Sequence, residues 1–231
     1  MSHDAACAII LADKSFILEE FGVKIAILGT GRVGSTLGRR WAAAGHEIVF
    51  GSRDPSGEKA RAVAGDAGSS ATAASVPEAA TGADVVVLAT PWSQAETIMQ
   101  SIGGAAGQIV VDCINPLNDT FSGLDLGFTE SCAERIAAWA PQARVVKAFN
   151  SVSSATMADP VYDGQQATLF VCGDDDDARN TVIELGDQID FESVDAGPLK
   201  NARYLEPLAM LYIHLAMNGW GSNCAFKILK R

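Results

Sequence analysis

The chain has 231 residues, 48% of them hydrophobic, and a formal net charge of −11 at pH 7. That is enough apolar material for one large domain, or for a domain with a small appended lobe. The negative balance repels a nucleic-acid backbone and an anionic membrane surface, so neither is expected as a partner. The five cysteines are scattered and form no C-x-x-C pair. Neither a disulfide framework nor a zinc site is expected, and a reducing, cytoplasmic setting fits.

Residues 1–22 hold a short apolar stretch with no basic leader before it, and Asp13-Lys14 follows at once. This is neither a secretory signal nor a membrane span, and it reads as an extension: a surface helix, an irregular tail or an over-long start. From residue 23 onward, β-branched runs alternate with alanine-rich helical stretches, the pattern of a mostly parallel sheet covered on both faces. Strands are expected at 23–28, 47–51, 71–73 (weakly), 84–89, 108–112, 144–148, 168–172 and 190–193. Helices are expected at 33–44, 57–65, 93–102, 130–138, 175–186 and 201–217. The division that follows is an extension at 1–22, a dinucleotide-binding domain at 23–195 and a small C-terminal lobe at 196–231. The acidic run 174–177 stands at a helix start, where carboxylates cap free amides. That role suits it better than metal binding, because consecutive side chains diverge.

Gly29-Thr30-Gly31-Arg32-Val33-Gly34 matches G-x-G-x-x-G. Alone the match is weak, but a buried strand enters it, an amphipathic helix leaves it and a second strand returns, as a dinucleotide-binding βαβ unit requires. Gly29 serves the tight turn, Gly31 the approach of a pyrophosphate and Gly34 the helix–strand contact, while the helix N-terminus offers free amides to phosphate. The second strand, EIVFGSRDP, ends on Ser52 and Arg53 where an acid would accept a ribose 2′-OH. A hydroxyl beside a guanidinium suits a 2′-phosphate, so NADP(H) is expected over NAD(H). Arg32 and Lys59 are further candidates for positive charge. Asp54 is the dissenting residue, since its carboxylate would weaken the preference if it faced the ribose.

Ligands of such a sheet collect at the carboxyl ends of its strands. Thr90 and Pro91 are therefore candidates along the pyrophosphate and ribose, and Asn115 and Asn150 near the reactive ring. Each is also an ordinary strand terminator. Trp92 is either a core residue or a wall over the cofactor. His214, within LAMLYIHLAMNGW, is expected to be a packed, hydrogen-bonded core histidine rather than a catalytic group. No catalytic side chain and no metal ligand is expected: hydride transfer between stacked rings needs alignment and exclusion of water more than an acid or base.

The stretches ILGTGRVGSTLGRRWAAAGHEIVFGSRDP, VVVLATPW, VVDCINPL, VVKAFNSVS, ATLFVCGDD and VDAGPLKNARYLEPLAMLYIHLA together resemble the F420-dependent NADP oxidoreductases and their relatives, among them the reductase domain of the STEAP metalloreductases. The resemblance spans residues 24–216 and is most specific at GSR, KAFN and DAGPLKNARYLEP. It implies a Rossmann-type doubly wound α/β fold with a small C-terminal helical lobe, a homodimer, and hydride passage from NADPH to coenzyme F420 or a flavin-like acceptor. It further implies that Thr30, Ser52 and Arg53 contact the 2′-phosphate. Ala148, Asn150 and the loop of Gly197 and Leu199 would then border the nicotinamide. Two other readings stand beside it: an NADPH reductase of another small substrate, of imine, pyrroline-carboxylate or ferric-flavin type, and a non-catalytic NADP(H) sensor. An imine-reductase-type dimerisation domain would need more chain than 201–231 supplies.

Overall fold

The computed structural model describes residues 22–231; all but the last residue of the extension expected at 1–22 lies outside the described residues. The first strand, β1 (Lys24–Leu28), is buried along almost its whole length and leads through the glycine loop into α1 (Arg32–Ala43). β2 (Glu47–Ser52), α2 (Glu58–Ala67), β3 (Ala71–Ser75) and α3 (Val76–Ala80) complete the first half. The second half runs β4 (Val85–Leu88), α4 (Trp92–Ser101), β5 (Ile109–Asp112), α5 (Cys132–Trp139) and β6 (Arg144–Lys147). A short helix, α6 (Ser154–Ala158), and a small hairpin, β7 (Val161–Tyr162) with β8 (Gln165–Gln166), precede β9 (Thr168–Gly173). Then come α7 (Asp176–Asp187), β10 (Glu192–Asp195) and α8 (Ala202–Leu215). The helices α3 and α6 and the hairpin escape the periodicity analysis because each is too short to show a repeat.

The sheet order is β10-β9-β6-β5-β4-β1-β2-β3. The six strands from β6 to β3 are mutually parallel and reverse direction of growth at β1, which makes a crevice at their carboxyl ends. β9 joins β6 antiparallel, and β10 lies parallel to β9. Register aligns the ends: Leu28 faces Gly51 and Leu88, Leu88 faces Asp112, and Asp112 faces Lys147. The residues that follow each of these share one edge.

Apolar side chains fill both faces. One layer includes Trp41, Phe50, Phe149 and Phe191, and the other includes Leu28, Val86, Met99, Ile136, Leu199 and Leu205. The C-terminal segment is thus stitched to the sheet through Leu199, Ala202 and Leu205. Beyond α8 the chain crosses back: the Thr168 amide donates to the Phe226 carbonyl, and Lys227 pairs with Glu192. Among the described residues no helix is long and apolar enough to cross a membrane.

In the acidic run, Asp175 accepts from the Ala178 amide at 2.8 Å and caps α7. Asp176 pairs with Arg179, and Asp174 reaches the Leu199 amide at 2.9 Å. The capping expectation holds. His214 departs from expectation: it is exposed rather than packed, on the outer face of α8, with Asn218 beside its ring. The apolar run there covers α8 on all sides, so its period does not say which face the sheet takes; Leu205, Ala209 and Tyr212 face inward instead.

Candidate functional site

A cavity of about 830 Å³ opens at the carboxyl edge where β1, β2, β3 and β4 end. Its walls come from the glycine loop, the Ser52–Lys59 turn, the start of α3 and the inner face of α4. Gly29 has φ +129°, and a side chain there would collide with the Ala89 carbonyl oxygen. A side chain at Gly34 would strike the Gly29 carbonyl, so α1 lies directly on the turn. At Gly31 nothing lies within 4 Å of where a Cβ would stand, which leaves open space over the helix N-terminus. Gly31 provides no side-chain cap, so the amides of Arg32, Val33 and Gly34 point into that space with the positive end of the helix dipole.

Ser52 and Arg53 leave β2 in a tight turn. The Ser52 hydroxyl donates to the Asp54 carbonyl at 3.1 Å and accepts from the Asp54 amide at 3.2 Å. Asp54 is turned toward the start of α2: Ser56 donates to its Oδ1, and its Oδ2 fills the space that a side chain at Gly57 would need. The dissenting carboxylate is therefore committed locally. Arg53 and Lys59 both line the cavity, and neither has an ion-pair partner among the described residues. Thr90 and Pro91 form the opposite wall, where Thr90 Oγ1 is buried without a hydrogen-bond partner among the described residues. A buried hydroxyl left unsatisfied costs free energy until a ligand supplies a partner. Trp92 points away and stacks on Trp139 with ring centroids 5.4 Å apart. The cavity is also lined by residues the sequence reading passed over: Ser75, Val76 and Pro77 at the end of β3, and Gln94, Thr97 and Ser101 on α4. The position of β3 next to β2 was the available signal for the first group; the α4 residues carry none.

The candidates for the ring end lie outside this cavity, toward β5, β6 and α8. Ala148, Asn150 and Leu199 are buried, while Asn115 and Gly197 are partly exposed. Asn115 and Asn150 are brought together: Asn115 Nδ2 donates to the Asn150 carbonyl at 2.8 Å, and Asn150 Nδ2 donates to Asn115 Oδ1 at 3.0 Å. Between Ala148 and Asn150, Phe149 adopts φ +61°. Trp41 and Phe191 pack edge-on against its ring and hold the turn in that left-handed conformation. Gly197 donates its amide to Asp195 Oδ1 at 2.7 Å. Its carbonyl accepts from the Gly173 amide, which docks the 196–199 loop on β9.

Beneath that end sits a buried polar cluster that sequence reasoning missed. Lys147 Nζ donates to Asp112 Oδ2 at 2.9 Å, to the Ile114 carbonyl and to Cys132 Sγ at 3.1 Å, and forms an ion pair with Glu206 Oε1 at 3.0 Å. All four side chains are buried. Burial opposes the lysine's charge, but Asp112 and Glu206 outweigh it and hold its pKa well above the ordinary value. Burial, reinforced by the same carboxylates, pushes the Cys132 thiol up, so it stays protonated and is no nucleophile. Ligand atoms of Asp112, Cys132 and Glu206 do converge as a metal site would. The ammonium of Lys147 is the cation they surround.

The sequence model of the family described as NADP oxidoreductase, coenzyme F420-dependent, matches residues 24–116. The F420-dependent NADP reductase of Methanothermobacter thermautotrophicus is 31% identical over 220 residues, which cover 89% of this chain and 94% of that protein. The metalloreductase STEAP3 of Rattus norvegicus is 32% identical over 190 residues, 81% of this chain but 37% of that longer protein. In three dimensions, the crystal structure of an F420-dependent NADP-reductase candidate from Arthrobacter sp. FB24 superposes with a TM-score of 0.83 at 31% identity, covering 90% of this chain and 100% of that one. With the glycine loop, the doubly wound sheet and the C-terminal helix all in place, the chain belongs to the F420-dependent NADP reductase family.

Proposed function

We propose that the chain is an NADP(H)-dependent oxidoreductase that passes hydride between NADPH and a deazaflavin, F420, or a flavin-like acceptor. The observation that carries the reading is the cavity itself: an open glycine cradle with free helix amides, an unpaired Arg53 at one wall and an unpartnered Thr90 hydroxyl at the other. These residues fit a phosphorylated dinucleotide. Gly29 and Gly31, with the amides of Arg32, Val33 and Gly34, would hold the pyrophosphate, and Thr30 would reach the 2′-phosphate. Ser52 and Arg53 would hold the 2′-phosphate. Thr90 and Pro91 would line the ribose, and Asn115, Ala148, Asn150, Gly197 and Leu199 would border the nicotinamide.

When bound, the dinucleotide supplies the hydride. The chain's part is to bind, orient and exclude water, and it needs no side-chain acid or base for that. Residues 196–231 act in this reading as a small lobe at the ring end. Exposed Leu211, Met217 and Trp220 on and after α8 suit a homodimer contact. Light scattering on the eluting protein decides that point. The setting is a reducing, cytoplasmic one, which suits free Cys113, Cys132, Cys172 and Cys224.

Two measurements test the proposal. Calorimetry should find NADPH bound more tightly than NADH, with the difference lost in Arg53→Ala; equal affinities in the wild-type chain defeat the cofactor assignment. Stopped-flow oxidation of NADPH with F420, FMN and ferric complexes should then show turnover with the deazaflavin or the flavin. Binding without turnover on any acceptor marks the chain as a sensor instead.

A further inference from the structure

The buried cluster under the ring end has a geometry that mere cohesion does not require. An ammonium has three N–H donors, and Lys147 spends them on Asp112 Oδ2, the Ile114 carbonyl and Cys132 Sγ, with Glu206 Oε1 beside it as a second counter-ion. Asp112 spends its other oxygen on the Ile114 amide, at 2.8 Å. Both backbone groups of Ile114 are therefore fixed by charged partners, and Asn115 is the next residue. Glu206 accepts from the Cys132 amide with both oxygens, at 3.0 and 3.1 Å, so it ties the start of α5 to α8. Its neighbour Leu205 gives its carbonyl to Asn150 Nδ2 at 2.9 Å. Lys147 is itself the last residue of β6, three before Asn150.

The outcome is visible in Asn150. Its Nδ2 faces two acceptors, Asn115 Oδ1 and the Leu205 carbonyl, which settles which end of the amide is which. Its Oδ1 is then left buried with no donor among the described residues. An acceptor held in place by a pair of strand ends and a helix, with nothing to accept from, is complementary to an N–H donor such as a primary carboxamide. Burying an ion cluster is a costly way to join two strands and a helix, since apolar side chains of the same volume hold such elements as well or better. What charged hydrogen bonds add is direction, at the backbone of Ile114 and the carboxylate of Glu206.

We propose that Lys147 is a positioning residue for the ring half of the dinucleotide: through Asp112, Glu206 and Cys132 it locks the ends of β5 and β6 to α8, so that Asn150 presents its free oxygen to the carboxamide. The proposal rests on the functional reading above. It makes the two halves of the cofactor separable, because the adenine end touches none of the cluster.

The test compares NADPH with adenosine 2′,5′-bisphosphate, which carries the adenine half alone. In Lys147→Met/Glu206→Gln, which removes one charge of each sign and keeps an acceptor for α5, calorimetry should find the bisphosphate bound as in the wild type. NADPH should lose about tenfold, the equivalent of one hydrogen bond. Asn150→Ala, which leaves the ion cluster whole, should reproduce the loss and covers the case in which the double variant does not fold. Unchanged NADPH affinity in either folded variant, or a parallel loss of both ligands, overturns the proposal. A wild-type chain that binds neither ligand defeats the functional reading first, and the proposal with it.

Discussion

The two ends of the crevice are built on opposite principles. At the adenine end, the walls are loop backbone and short side chains, the charges of Arg53 and Lys59 have no ion-pair partner among the described residues, and about 830 Å³ stands open. At the ring end, Asp112, Lys147 and Glu206 are buried and paired with one another, and buried Asn150 is bonded to Asn115 and to the Leu205 carbonyl next to Glu206. One end therefore holds its binding potential in reserve, whereas the other has spent nearly all of it on itself. Stability and affinity should respond differently to changes at each, and the contrast can be broken by substitution.

The largest effect belongs to Glu206→Ala. It strips a counter-ion from buried Lys147 and the acceptor from the Cys132 amide at the start of α5, so it should destabilise the fold by about 3–5 kcal/mol in urea unfolding. A loss below 1 kcal/mol would mean that water reaches the cluster and that the ring end is not closed. Arg53→Ala should do the reverse. The fold should keep its stability, since the guanidinium pairs with no group among the described residues. NADPH affinity should fall by about 10–100-fold, the worth of charge-assisted bonds to a phosphate, with NADH unaffected. A substantial stability loss in Arg53→Ala would erase the distinction between the two ends.

The same contrast explains what could be read in advance. Glycine spacing, a strand on each side and the missing acid after β2 are local signals, so Gly29, Gly31, Gly34, Ser52 and Arg53 announce themselves in thirty residues of sequence. The central strands of the sheet show as β-branched runs, whereas the alanine-rich edge strand β3 shows only weakly and β10 lies two residues beyond its expected place; the doubly wound order follows from alternation with helices. Lys147, Asp112, Cys132 and Glu206 lie up to 94 residues apart, and each alone looks unremarkable: a lysine ending a strand, an acid ending another, a glutamate on an apolar helix. Only the register that sets Asp112 opposite Lys147 brings the first two together. His214 misled in the opposite sense, because an apolar helix does not by itself say which face is buried.

A third perturbation acts on the scaffold behind both ends. His46 Nδ1 accepts from the Val23 amide at 3.2 Å, and its Nε2 lies 2.7 Å from Gln188 Oε1, so the ring is neutral with its proton on Nε2. Burial lowers its pKa, against the opposing effect of Gln188. Because the folded value lies below the unfolded one, near 6.5, the unfolded chain takes up the proton first as pH falls. Stability is therefore undiminished above about pH 6.5 and declines from there down through the folded pKa. Thermal unfolding of His46→Gln should show a flatter profile across that window. A decline of equal slope in the variant would assign the acid sensitivity to another group.

The smallest effect separates two neighbouring acids. Asp175 caps α7 through the Ala178 amide and touches nothing at the crevice, so Asp175→Ala should remove about 1 kcal/mol of stability and leave ligand affinity alone. Its weak pairing with Arg144 at 3.9 Å, on a half-exposed surface, adds little. Asp174 instead reaches across to the Leu199 amide at 2.9 Å and holds the 196–199 loop against β9. Asp174→Ala should thus cost a comparable amount of stability but also weaken NADPH relative to adenosine 2′,5′-bisphosphate, because the loop it releases borders the ring end. If both variants lose stability alone, that loop takes no part in binding, and the closed end of the crevice contracts to the Asn115–Asn150 pair and the cluster beneath it.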